Sequence, residues 1–121
     1  MSLLYKRQEK ARILVSKGVR GVDVASMDPN LLAAVICELV RSIDSSQNAL
    51  LVMCLGVLYK KKKNLGSTGK FYLLRALVKA DKPTVDCFKD IIFACSKSRY
   101  KVLQRGAWPL MKRLTEPTGQ S

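Results

Sequence analysis

Leu32, Val35, Ile36, Leu39, Val40 and Ile43 recur at steps of three and four residues. That period gathers side chains on one face of an α-helix. Asp28-Pro29 stands immediately ahead: an acidic cap, then a proline whose missing N–H is no loss at the first helical position. The spacing predicts a helix over 29–43, with Glu38 and Arg41 outside its apolar stripe.

The same reading extends along the chain. Leu4, Ala11, Leu14 and Val15 mark a basic amphipathic helix over 3–17, followed by a loop punctuated by Gly18 and Gly21. Asp44-Ser45-Ser46 reads as a turn and cap for a segment over 47–63. There periodicity alone does not separate helix from buried strand. Length and the Leu, Met and Ala content favour helix, while Val52, Gly56 and Val57 pull towards strand over 50–59. Asn64-Leu65-Gly66 reads as a helix stop. Thr68 caps a helix over 69–80 with Phe71, Leu74, Leu77 and Val78 inward, and Asp81-Lys82-Pro83 breaks it. A helix over 83–97 buries Val85, Phe88, Ile91, Ile92 and Cys95. A short helix, a turn at Gly106 and a last turn or two bearing Trp108, Leu110 and Met111 follow. The expected fold is all-α: one compact, bundle-like domain of five or six short helices over 1–114, with a flexible tail at 115–121. A chain of 121 residues is long enough for one such core without staples.

Charge sets the functional argument. There are 22 Lys and Arg against 9 Asp and Glu, a net charge of +13. Repulsion of that size opposes compaction, and its usual counterweight is an anionic partner, nucleic acid or an anionic membrane face. The excess is local. Residues 1–20 hold six bases and one acid and 46–80 seven bases and no acid, whereas 21–45 between them hold four acids and one base.

Lys60, Lys61, Lys62 and Lys63 form the densest cluster. A helix turns about 100° per residue, so four consecutive lysines surround its axis and belong where it projects past the core. There they also complement the negative end of the helix dipole. Lys70, Arg75 and Lys79 continue the track without an intervening acid. Lys97, Arg99, Lys101 and Arg105 form a second cluster around Tyr100, the mix of cations and aromatic surface that single-stranded nucleic-acid grooves use.

Other chemistries fail on residue inventory. GSTGK at 66–70 resembles a phosphate loop, but Asn64 and Phe71 stand where that motif needs glycine and Ser or Thr. A helix-turn-helix around 71–95 would aim Asp86 and Asp90 at phosphate. Histidine is absent and the cysteines at 37, 54, 87 and 95 contain no C-x-x-C pair, so no metal site is expected. The four read as reduced, buried thiols. Without histidine, a carboxylate pair or an activated cysteine, no enzyme and no cofactor are expected. The eleven uncharged residues 49–59 fall short of the roughly 20 needed for a membrane span. The amino terminus is too short in apolar residues for a secretory signal, and Ser2 is not the glycine that myristoylation requires. The expected location is intracellular, cytoplasmic or nuclear.

In size, basicity and lack of catalytic groups the chain is similar in general character to small viral matrix, nucleocapsid or accessory proteins. Two functions fit. One is a non-enzymatic module that binds nucleic-acid backbone, RNA rather than DNA, without sequence specificity. The other is a matrix-like peripheral protein that lies on an anionic membrane and self-associates, with Leu3, Leu4 and Trp108 as dipping elements.

Overall fold

The computed structural model describes residues 3–18, 21–41 and 48–115. Eight α-helices account for nearly all of these: α1 (Leu3–Lys17), α2 (Gly21–Ser26), α3 (Pro29–Arg41), α4 (Asn48–Lys60), α5 (Ser67–Leu77), α6 (Lys82–Cys87), α7 (Lys89–Ser96) and α8 (Lys101–Thr115). A 3₁₀ turn at Lys62–Asn64 follows α4. No strand occurs among the described residues, and 50–59 is helical. No described helix is long and apolar enough to cross a membrane. The cap at Ser45 and Ser46 and the tail beyond Thr115 lie outside the described residues.

α3 is the centre. Leu32, Ala33, Ala34, Val35, Ile36, Cys37 and Leu39 are all buried, because α1, α4 and α5 pack around it. It begins where Asp28-Pro29 predicts: the Asp28 carboxylate accepts from the Asn30 and Leu31 N–H groups at 2.9 and 3.1 Å. Gly18, at φ +92°, ends α1 in the left-handed conformation that glycine adopts without strain.

Elsewhere the punctuation reads differently in three dimensions. The segment after Gly18, expected as loop, contains the one-and-a-half-turn α2, which with the residue after it contributes Val24 and Met27 to the core. α5 starts at Ser67 and is not capped by Thr68. Its cap is Asn30 of α3, whose side-chain oxygen accepts from the Gly66 and Gly69 N–H groups at 2.8 and 3.1 Å. α5 ends at Leu77, which leaves Val78 half exposed rather than inward.

The expected helix over 83–97 is divided at Phe88. Its N–H donates to Val85 O in a tight three-residue closure, and its carbonyl starts α7. All five stripe residues are nonetheless buried. α8, expected as two pieces, runs unbroken through Gly106 and Pro109. Pro109 leaves the Arg105 carbonyl without its i+4 intrahelical donor, at a place where both residues are exposed. Gly106 marks a close helix crossing, where an added Cβ would meet Leu74 Cδ1 at 3.2 Å.

Three cysteines are buried as expected; Cys87 is exposed, at the end of the short α6 and off its buried side. Burial pushes the Cys37 and Cys95 thiols up and takes Cys54 to about 11, so none of these three forms thiolate at neutral pH. One thiol per chain should therefore react rapidly with a thiol-specific reagent under native conditions. Cys87→Ser should abolish that phase, and prompt reaction of a second thiol would contradict the burial.

Candidate nucleic-acid interface

The four consecutive lysines do not surround the axis of a projecting helix, the arrangement their spacing predicts. α4 stops at Lys60, and the chain tightens into the 3₁₀ turn, which sends neighbouring side chains to different tasks. Lys61 Nζ folds back to donate to Ala25 O at 2.7 Å and Met27 O at 3.1 Å, satisfying carbonyls at the end of α2. Lys62 Nζ lies 3.1 Å from Asp90 Oδ2 and 4.4 Å from the centroid of the Tyr59 ring. Tyr59 in turn meets the buried Phe88 ring edge-on. Asp90 is partly desolvated, which raises its pKa, but the Lys62 ammonium and the Ile91 N–H outweigh that and hold its carboxyl below the usual range. Only Lys60 and Lys63 of the four are exposed.

A second basic residue has a similar anchoring task. Arg113 of α8 donates to Leu77 O, Val78 O and Ala80 O at 2.8–3.3 Å, closing the carboxy-terminal end of α5. Sequence alone carries no signal for this, since the partners lie more than thirty residues away. Arg7 is drawn in likewise, donating to the Thr68 hydroxyl.

The first turn of α5 brings the two sequence clusters together. On one flank Lys62, Lys63 and Lys70 line a depression of about 220 Å³, closed below by Leu65, Ile91 and Ala94 and bordered by Asp90. On the other flank Phe71, Tyr100, Val102 and Leu103, with Ser67 and Thr68, line a more apolar depression of about 140 Å³. Lys70 and Phe71 are consecutive, so a single turn of helix separates the two. Comparison with known protein families, curated proteins and solved structures returns no match.

Aromatic surface at the second depression is accessible: Tyr100 is 47% exposed. The Arg99 guanidinium lies 5.2 Å from its ring centroid, and that of Arg75 lies 5.4 Å from the Phe71 ring. Both distances fall within cation–π range. Lys97, Arg99, Lys101 and Arg105 are all exposed in the α7–α8 connection and the first turns of α8. None of these, nor Lys63 or Lys70, has an ion pair among the described residues. Sequence periodicity put Phe71 inward; it is half buried and forms a wall of the depression instead.

Lys79 stands apart from this surface, with Asp81 and Thr84 on a groove between α3, α4 and α5. Trp108 is exposed on α8, on the same outward side as Arg105 and Lys112. The side chains of Leu3 and Leu4 lie outside the described residues.

Proposed function

We propose that this chain is a non-enzymatic helical module that binds the phosphate backbone of nucleic acid, RNA in preference to DNA, without reading sequence. The observation that carries the reading is the pairing of depressions at the α5 amino-terminal turn. One is lined by lysines and the other by Phe71 and Tyr100 with Arg75 and Arg99 above their rings. Cations on one flank suit phosphates; an accessible π-face on the other suits an unstacked base, which a single strand offers and a duplex does not.

The test is a salt-series titration against single-stranded RNA, duplex DNA and anionic vesicles in parallel. Single-stranded RNA should bind tightest, with an affinity that falls linearly on a log–log plot against salt. Tyr100→Ala should weaken RNA binding by about 1–3 kcal/mol, the usual worth of one stacked base, and leave duplex binding nearly unchanged. Equal loss on both nucleic acids would remove the stacking role.

Trp108, 58% exposed between Arg105 and Lys112, favours a second reading as a matrix-like protein on an anionic membrane. Vesicle binding that exceeds RNA binding and collapses with Trp108→Ala would replace the first reading by this one.

A further inference from the structure

We propose that Asp90 sets the phosphate specificity of the lysine-lined depression. By holding Lys62 back, it suits the site to the singly charged phosphodiester between two nucleotides and disfavours a doubly charged terminal phosphate. The inference rests on the nucleic-acid reading above and names which phosphate that surface takes. It starts from a mismatch of charge. The side chains of Lys62, Lys63 and Lys70 line one small concavity of about 220 Å³. Three ammonium groups so close together favour the most highly charged phosphate available, the terminal monoester, which carries nearly two charges at neutral pH. Asp90 lines the same depression, and among the described residues it is the one acid that does. Residues 46–80 contain no acid, so this carboxylate is brought across by α7.

The geometry divides the tasks of the pair. Lys62 Nζ has Asp90 Oδ2 at 3.1 Å and the Tyr59 ring at 4.4 Å. The Lys62 side chain is only 20% exposed, whereas that of Asp90 is 60% exposed. The ammonium is therefore the enclosed partner, and the carboxylate is the one that meets whatever enters. Asp90 is fixed in that position, because its Oδ1 accepts from the Ile91 N–H at 3.0 Å. Its place in the first turn of α7 also sets the negative charge at the positive end of the helix dipole. With Lys62 and Asp90 cancelling each other, Lys63 and Lys70 are the cations of the depression without an ion pair among the described residues. A phosphodiester brings one charge, which these two ammonium groups match. A terminal phosphate brings a second, which the exposed carboxylate at the border repels. An ammonium already paired with a carboxylate releases no counterion when phosphate arrives, so Lys62 adds nothing to binding while Asp90 is charged.

Two short single-stranded RNAs of one sequence, one ending in a 5′-hydroxyl and one in a 5′-phosphate, test the assignment in titrations over a salt series. The wild-type chain should bind both with nearly the same affinity. Asp90→Asn keeps an oxygen for the Ile91 N–H and removes the charge, and circular dichroism checks that the fold is retained. This variant should bind both RNAs more tightly, with a salt slope steeper by about 0.7, the share of one phosphate on a single strand. It should also favour the 5′-phosphorylated RNA by at least about threefold, the usual worth of one partly exposed charge contact. Asp90→Ser, also uncharged, should give the same shifts. Adding Lys62→Gln to Asp90→Asn should cancel them, since the released ammonium is then gone. A wild type that already prefers the 5′-phosphate, uncharged variants with unchanged preference, or a gain that survives Lys62→Gln would each overturn the assignment and leave backbone binding standing. Absence of salt-dependent binding to either RNA would overturn it together with the nucleic-acid reading.

Discussion

Replacing Gly69 with alanine is expected to destabilise the fold by about 2 kcal/mol, even though alanine is the better helix former by about 1 kcal/mol. The glycine lies inside α5 where that helix crosses the start of α3. A methyl there would stand 2.4 Å from Asn30 Oδ1, 2.5 Å from Leu65 Cδ2 and 3.2 Å from Asn30 Cα. Each way out of the clash carries a cost. Moving the Asn30 oxygen breaks the bonds it accepts from the Gly66 and Gly69 N–H groups, leaving the start of α5 uncapped. Leu65 is buried beneath the lysine-lined depression, and displacing it forfeits its packing. The backbone contact with Asn30 relaxes only if the helices separate. At about 4 °C per kcal/mol for a domain of this size, the melting temperature should fall by roughly 8 °C. Gly66→Ala is the control, because its methyl meets Asn30 Oδ1 at an ordinary 3.4 Å and should cost far less. Equal melting temperatures for the two variants would refute the packing argument.

The second large effect concerns binding. Neutralising Lys63, Lys70, Arg99 and Lys101 together should lower the slope of log affinity against log salt by about 3, from roughly 0.7 per phosphate contact on a single strand. The four carry no ion pair among the described residues, so melting should change little. Lys61→Gln and Lys62→Gln make the opposite prediction. They should shift the salt slope by less than one contact each but lower stability, because Lys61 closes the end of α2 and Lys62 holds Asp90. If Lys61→Gln and Lys62→Gln reduced the salt slope as much as loss of Lys63 or Lys70, the division of the lysine block would be wrong. If the four-residue variant bound RNA as before, the proposed interface would be wrong.

Helix content was legible from the residues themselves, because it rests on local terms: spacing of apolar side chains, Asp28-Pro29 at the start of α3, Gly18 at the end of α1. Boundaries set by distant partners were not. Thr68 has the chemistry of a cap, but Asn30 reaches across from another helix and takes that place. Gly106 has the chemistry of a turn, but it marks a helix crossing against Leu74 and α8 runs through it. Cys87 reads like its three apolar neighbours, and only the placement of the short α6 leaves it in solvent.

The candidate surface divides in the same way. Residue identity and order alone determined that the chain is strongly cationic, that its positive charge is concentrated over 1–20 and 46–80 and that no phosphate loop is present. Which cations face outward was decided by the tertiary structure. An ammonium is attracted equally to a phosphate, a carboxylate or a helix-end carbonyl, and the nearest acceptor is known only once the chain is folded. In this fold Lys61 and Arg113 meet carbonyls and Lys62 meets Asp90. Lys63 and Lys70 remain outward, beside an aromatic wall that the first turn of α5 brings within reach.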